Sequence, residues 1–255
     1  MAIIANRTCS NYQKHEESEE IIMKITYWSD YACPFCYIGE TNLKKAMENL
    51  GLKDIEIEMK AFELDPSASR TVQGPTVDRF AVKYGLTKAQ AQDRVDRISQ
   101  MGKEAGLDFR YAETQYTNTF DAHRLTKLAQ AKGDPELTDR LIERLYKAYF
   151  TDSLELADHE ILKKIALEEG MDEAEVTEVL DSDKYADEVR LDERESQRYG
   201  IHAVPYFIIG NRVAIPGAMP VKQMESVLTE VMEAEAKEAV KMQGMSCGPD
   251  GCHIG

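Results

Sequence analysis

Two cysteines separated by two residues stand between a strand-like run and a helix-like run, and this arrangement restricts the local fold. Residues 25–50 are ITYWSDYACPFCYIGETNLKKAMENL, in which Cys33 and Cys36 enclose a Pro-Phe pair. β-branched and aromatic residues, which favour strands, precede the cysteines. From Pro34 onward, apolar residues recur at helical spacing until Gly51, a residue suited to end a helix. The sequence therefore predicts a strand, a turn carrying both cysteines, and a helix that begins at Pro34.

The other periodic segments predict a mixed α/β order. Residues 55–64 alternate as a strand does, so that strand, helix and strand form a βαβ unit with parallel strands. The closing part predicts a helix at 185–199, an antiparallel hairpin in VPYFIIGNRVAIPGA, and an amphipathic helix at 221–242. Between these two parts the periodicity is helical throughout and predicts helices at 76–84, 88–104, 120–132, 136–150, 159–168 and 172–180.

Both ends of the chain differ from this periodic part. Residues 1–22 are polar, acidic and aperiodic, so we expect a disordered extension before a folded part that begins at Met23. Cys9 falls in this extension. Residues 244–255 are GMSCGPDGCHIG, a glycine-rich segment, and we expect a flexible tail there.

The charge balance and the hydropathy pattern exclude two classes of partner. The 255 residues carry a formal net charge of −15, whereas nucleic-acid binding needs a positive surface. No run approaches the ~18 consecutive apolar residues of a membrane span, and the start lacks the basic and apolar regions of a secretory signal. We expect a cytosolic protein with no nucleic-acid or membrane partner. Its five cysteines are then working thiols or metal ligands rather than structural disulfides.

The predicted turn would activate the first cysteine of the pair. Cys33 takes the N-cap position and Pro34 the first helical position, where a missing N–H costs nothing. The N–H groups of Phe35 and Cys36 would then face the Cys33 sulfur and favour its thiolate. This predicts an exposed nucleophile at Cys33 and a resolving thiol at Cys36, as disulfide exchange requires. Half of a zinc site and a pair of buried structural cysteines are the alternatives. We favour the redox pair and expect no metal.

A proline in the closing part supports the redox interpretation. Val204-Pro205 opens an apolar, strand-like run, where a trans proline would usually interrupt strand pairing. Because it follows a βαβ unit that carries the cysteine pair, we predict a cis peptide bond in a loop that faces the dithiol. An ordinary edge-strand proline is the alternative, since only ~5% of X-Pro bonds are cis.

Three segments, SDYACPFCYIGE, NTFDAHRL and GIHAVPYFIIGN, resemble the DsbA-like thioredoxin-fold oxidoreductases, specifically their cytosolic FrnE-type group. The resemblance covers the chain from Met23 to its end. It implies an α/β, thioredoxin-like fold (βαβ … α ββα) with a large all-helical insertion domain. The thioredoxin-like domain would comprise 23–65 and 185–243, and the inserted helical domain would comprise 66–184.

The same resemblance assigns roles to four residues. It implies dithiol–disulfide exchange at Cys33 and Cys36, through a redox-active disulfide and without a bound cofactor. It also implies that Pro205 lines the substrate groove and that the backbone of Val204 contacts a bound peptide.

Two further features refine these expectations. The strongly oxidising periplasmic relatives carry a histidine between the cysteines, whereas this chain has Pro34-Phe35. We therefore expect a less oxidising potential, with this pair contacting the substrate. The NTFDAHRL segment implies polar groups near the dithiol, among them Asp121 and Arg124, and we predict that His123 faces the active site. A capped helix start is the alternative interpretation of this segment.

The fold also includes glutathione-dependent isomerases and kappa-type glutathione transferases, in which serine typically replaces the first cysteine. Because Cys33 is retained, we favour a thiol–disulfide oxidoreductase of the reductase or isomerase type. It would act on protein or small-molecule disulfides as a monomer or homodimer, with glutathione as a candidate reductant. A non-catalytic adaptor and a glutathione-dependent isomerase or transferase are the alternatives.

The tail contains a second pair, Cys247 and Cys252, spaced as in the C-terminal pair of some FrnE-type proteins. A tethered dithiol has a high effective concentration at a nearby site. We therefore predict an accessory redox pair that exchanges with Cys33 and Cys36. A metal-binding tail that adds His253 as a ligand is the alternative.

Overall fold

The computed structural model describes residues 23–53 and 55–243. The predicted N-terminal extension and the tail, with Cys9, Cys247 and Cys252, lie outside the described residues. Within the described part of the chain, no helix is both long enough and apolar enough to cross a bilayer.

A four-stranded mixed sheet forms the centre of the fold. Its strands are β1 (Lys24–Ser29), β2 (Glu56–Ala61), β3 (Tyr206–Ile209) and β4 (Val213–Pro216), in the order β2-β1-β3-β4. β1 runs parallel to β2 and antiparallel to β3, and β4 is antiparallel to β3. The βαβ unit and the hairpin are therefore confirmed, although β2 ends at Ala61 and is shorter than the predicted segment at 55–64.

The predicted helices all form, and each of their ends lies within one residue of the prediction. They are α1 (Pro34–Leu50), α2 (Thr76–Tyr84), α3 (Lys88–Glu104), α4 (Phe120–Ala131), α5 (Pro135–Phe150), α6 (His159–Glu168), α7 (Glu173–Asp181), α8 (Ala186–Arg198) and α9 (Val221–Gln243). A short 3-10 turn (Tyr111–Glu113) joins α3 to α4. The fold is thioredoxin-like with a helical insertion. The exact domain boundaries after residues 65 and 184 stay predictions.

Local capping explains why several helix ends match the prediction so closely. The side chains of Asp134, Asp158 and Asp172 each accept a backbone N–H at the start of a helix. α1 and α2 each end at a glycine in the left-handed conformation, Gly51 and Gly85. Such caps satisfy the backbone groups that a helix end leaves without partners, and they depend on nearby residues alone.

The inserted helices pack directly onto the helix that carries the cysteines. The Tyr37 ring of α1 stacks on the Tyr146 ring of α5, with 4.9 Å between centroids. The Phe109 and Phe150 rings stack beside them at 4.6 Å. Because Tyr37 follows Cys36 in the sequence, this aromatic cluster fixes the insertion against the start of α1.

Candidate active site

The two cysteines occupy the turn that joins β1 to α1. Cys33 is the N-cap residue of α1 and Pro34 its first helical residue, as predicted. The Cys33 N–H donates to the carbonyl of Asp30 at 3.0 Å, and the Cys36 N–H donates to the carbonyl of Cys33 at 3.1 Å. Both cysteines are free thiols. One turn of helix therefore holds two reduced sulfurs, the arrangement that disulfide exchange uses.

The expected exposure of Cys33 is wrong. Its residue surface is 3% accessible, and no helix N–H bonds to its side chain. The thiol instead donates to the carbonyl oxygen of Val204, with 3.5 Å between sulfur and oxygen. The loop before β3 lies against the sulfur. The carbonyl of this loop takes the place of the Phe35 and Cys36 N–H groups, which were predicted to face the sulfur. A substrate must therefore reach Cys33 through the cavity in front of it.

The loop that covers Cys33 contains the predicted cis peptide bond between Val204 and Pro205. The Pro205 ring packs against α1 at Gly39, where an added Cβ would lie 3.0 Å from the ring. Val204 lines the cavity in front of Cys33, whereas Pro205 does not. Gly39 lets the loop approach α1 closely. In the sequence, Gly39 is recognisable as a glycine inside an otherwise helical run.

Cys36 lies beneath the turn and is completely buried. Burial raises the pKa of the Cys36 thiol well above its ordinary value, and the neighbouring Cys33 adds to this effect. The Ser29 side chain acts in the opposite direction and lowers the pKa. Since the thiolate is the reactive form, Cys36 stays protonated and protected near neutral pH. This behaviour suits a thiol that reacts only after Cys33 has done so.

The carboxylate of Asp30 organises the turn from inside the protein. Asp30 is 2% exposed. Its Oδ1 accepts the Ala32 N–H at 3.1 Å and the Thr119 hydroxyl at 2.9 Å. Its Oδ2 accepts the Leu64 N–H at 2.7 Å. One buried group thus joins the cysteine turn, the segment after β2 and the residue before α4.

His123 lies behind the turn and does not line the cavity in front of Cys33. It is 1% exposed, and its ring centroid lies 4.9 Å from that of Tyr31. Its Nε2 is 3.8 Å from Oδ1 of Asp30 and has no hydrogen-bond partner among the described residues. His123 therefore contacts the support of the turn rather than the space open to a substrate.

Asp121 and Arg124 of the NTFDAHRL segment make their contacts between helices. Asp121 binds Arg124 and His159, each at 2.8 Å, and also pairs with Arg70. Arg124 also donates to backbone carbonyls between α7 and α8, including that of Lys184 at 2.9 Å. Both side chains bind between helices, and neither lines the cavity in front of Cys33; their placement near the dithiol stays a prediction.

Glu40 is a buried carboxyl group that the motif analysis missed. It lies one helical turn beyond Cys36 and is 2% exposed. Burial raises the pKa of this carboxyl, and Lys44 at 3.0 Å counteracts the effect. The sequence signal was a charged residue on the apolar face of α1, where an unpaired charge would be costly.

A cavity of about 1030 Å³ opens in front of Cys33. The predicted substrate contacts Pro34, Phe35 and Val204 line it together with Cys33. The opposite wall comes from α2, α3 and the segment before α4, and its aromatic residues are Phe80, Tyr84, Tyr111 and Tyr116. Within residues 23–53 and 55–243, no three His, Cys, Asp or Glu side chains are grouped to hold a metal ion.

Several large apolar side chains that line this cavity are exposed to solvent. On most protein surfaces, the large apolar side chains that stay exposed are scattered singly. Here four of them line one cavity: Phe35, Leu64, Val82 and Tyr84. Val82 is 85% exposed, although it belongs to a helix. Exposed apolar side chains that line one cavity indicate a binding site.

The model of the DSBA-like thioredoxin domain family matches residues 24–229. The chain belongs to this family. It is similar to the uncharacterized Bacillus subtilis protein YwbO, with 30% identity over 211 residues, covering 81% of this chain and 96% of YwbO. It is also similar to the crystal structure of a probable DsbA oxidoreductase, SCO1869 from Streptomyces coelicolor. That similarity has a TM-score of 0.76 and 32% identity, and covers 91% of this chain and 99% of SCO1869.

A more distant structure shares the fold. DsbM from Pseudomonas aeruginosa, described as a cytosolic disulfide reductase with GSH, matches with a TM-score of 0.56 and 13% identity. The match covers 82% of this chain and 99% of DsbM. The finer assignment to the FrnE-type group stays a prediction.

Replacing Asp30 with asparagine tests the support of the turn. In Asp30→Asn an amide N–H₂ replaces one acceptor oxygen, so a buried backbone N–H loses its partner. The expected loss is about 1–3 kcal/mol in the free energy of unfolding, measured by urea denaturation. Asp65→Asn is the matched control, because Asp65 accepts hydrogen bonds from the nearby Ser67 in an exposed loop. Equal stability of the two variants would contradict the role of Asp30.

The pKa of Cys36 predicts how the two thiols react with an alkylating reagent. In the reduced Cys33→Ser variant, Cys36 should react with iodoacetamide much more slowly than free cysteine at neutral pH. The rate should rise only at strongly alkaline pH, because the raised pKa keeps the thiolate fraction small. Peptide mass spectrometry follows the adduct, and the same reaction in urea is the control. Fast labelling of Cys36 in the folded variant at neutral pH would refute this assignment.

Proposed function

We propose that the protein is a thiol–disulfide oxidoreductase in which Cys33 is the nucleophile and Cys36 is the resolving thiol. The observation that carries this proposal is the cysteine pair at the start of α1, with Cys33 at a cavity and Cys36 buried one turn inside. Membership of the DSBA-like family supports it.

The exchange needs two steps on one disulfide. The Cys33 thiolate attacks one substrate sulfur, so that a Cys33–substrate disulfide forms and the other half leaves as a thiolate. Cys36 then loses its proton and attacks the Cys33 sulfur, which releases the second half as a thiolate. The substrate disulfide gains two electrons, and the Cys33–Cys36 pair is oxidised to a disulfide. Burial keeps the Cys36 thiol from attacking the substrate disulfide in place of Cys33.

For the physiological direction we propose disulfide reduction or isomerisation in the cytosol. Phe35 between the cysteines offers no charge to stabilise a thiolate, which disfavours a strongly oxidising pair. The DsbM structure with GSH supports glutathione as the reductant that restores Cys33 and Cys36. Two glutathione thiols would supply the two electrons and leave as oxidised glutathione. Substrates would be protein or small-molecule disulfides, bound by a monomer or homodimer.

The tail pair remains part of this proposal. Cys247 and Cys252 lie outside the described residues, and their role as an accessory redox pair stays a prediction.

Val204 and Pro205 are proposed to hold the substrate near Cys33, with Val204 in direct contact and Pro205 fixing the loop. His123 is proposed to act through the support of the turn.

Serine substitutions in the cysteine pair test the proposed function. Cys33→Ser should abolish the reduction of insulin disulfides, because no sulfur remains to form the mixed disulfide. Cys36→Ser should instead accumulate a stable mixed disulfide at Cys33, which mass spectrometry can locate. Cys9→Ser is the control and should retain full activity. Undiminished activity of Cys33→Ser would exclude Cys33 as the nucleophile, whereas absence of activity in the wild-type protein would favour an adaptor role. Glutathione turnover that survives Cys36→Ser would favour the glutathione-dependent isomerase or transferase alternative.

A further inference from the structure

The cavity in front of Cys33 has a basic wall, although the protein is strongly acidic. The formal net charge of the chain is −15, yet α2 and α3 place four cationic side chains along this one cavity: Arg79, Lys83, Arg94 and Arg97. Basic side chains therefore predominate in the cavity that Cys33 lines, whereas acidic side chains predominate in the whole chain. A cavity lined by one sign of charge raises the local concentration of ligands of the opposite sign.

The four basic side chains outnumber the two acidic ones of the same cavity, Asp65 and Asp78. Asp78 is bound by Lys88 at 2.8 Å, and Lys88 is not among the cavity residues. Asp65 accepts hydrogen bonds from Ser67 within its own loop. Among the four basic residues, Arg97 pairs with Asp93 at 3.0 Å. Across the described ranges, the other three enter no ion pair.

Arg79 is the best-placed of these residues to bind an anion. Its guanidinium lies over the Tyr116 ring, 3.6 Å from the centroid, which holds the group in one orientation. Its Nη1 is buried and lacks a hydrogen-bond partner in the part of the chain that the structure describes. The Arg79 side chain lines the cavity, and its planar guanidinium has further N–H groups whose geometry matches that of a carboxylate.

We propose that the cavity selects small disulfides that carry a carboxylate near the reacting sulfur, with Arg79 as the anchor of that carboxylate. The proposal rests on the proposed function and names its substrate class. The volume of about 1030 Å³ is that of a small-molecule site. The low exposure of Cys33 also favours a small disulfide over a rigid protein surface. The carboxylate stays unchanged in the exchange, in which Cys33 and Cys36 give two electrons and release two thiols.

Three small disulfides of similar size and different charge test this selection. They are dithiodiglycolate, which is anionic, hydroxyethyl disulfide, which is neutral, and cystamine, which is cationic. For each disulfide, the second-order rate constant of its reaction with the reduced protein is divided by that of its reaction with dithiothreitol. This ratio removes differences in the intrinsic reactivity of the three disulfides. The expected order is anionic, then neutral, then cationic. Higher ionic strength should reduce the preference, because salt screens charge attraction.

Arg79→Gln should lower the preference for the anionic over the neutral disulfide at least about tenfold, since it removes a charge-assisted hydrogen bond. Its rate with hydroxyethyl disulfide should stay close to that of the wild type, which also shows that the variant is folded. Lys103→Gln is the control, because it removes the same charge from α3 outside the cavity and should leave the preference unchanged.

The outcomes separate this proposal from the proposed function. Equal normalised rates for the three disulfides in the wild type would overturn the selection and leave disulfide exchange intact. An unchanged preference in Arg79→Gln would overturn the anchor role. Selectivity for acidic peptide disulfides, without selectivity among the small ones, would also overturn the proposal. No reaction with any disulfide would contradict the proposed function itself.

Discussion

The buried carboxylate of Asp30 is the contact on which the architecture of the site depends. Its two oxygens accept from the Ala32 and Leu64 N–H groups and from the Thr119 hydroxyl. These three partners belong to the cysteine turn, to the exit of the neighbouring parallel strand and to the residue before α4. Burial of a carboxyl group costs free energy unless its oxygens accept hydrogen bonds. The same group therefore aligns the sheet, the redox turn and the inserted helices.

Packing around this junction decides what each cysteine can do. The aromatic cluster of Tyr37, Tyr146 and Phe150 presses the insertion onto α1 and buries Cys36. The loop at Val204 approaches from the other side and leaves Cys33 with access only through the cavity. One sulfur is thus open to a substrate by a restricted route, while the other is kept from solvent. Cys33 lines the cavity and Cys36 does not, which is why we propose that Cys33 reacts first.

Local features of the sequence predicted most of the fold. Helix ends depend on nearby caps such as Asp134 and Gly51, and the N-cap position of Cys33 follows from Pro34. The contacts that could not be predicted join distant parts of the chain. Cys33 and Val204 are 171 positions apart, and their contact removed the expected exposure of the sulfur. The placement of His123 and of Arg79 depends on how the insertion packs, which no local pattern encodes.

We propose that Cys33 and Cys36 form one redox couple. The most direct test equilibrates the full chain in buffers with different ratios of reduced to oxidised glutathione. Acid then traps the thiols, and mass spectrometry maps the disulfides. We expect a single two-electron transition to a Cys33–Cys36 disulfide, with a midpoint potential more negative than about −120 mV. Free thiols at Cys33 and Cys36 at every ratio, or a stable glutathione adduct without the internal disulfide, would contradict it.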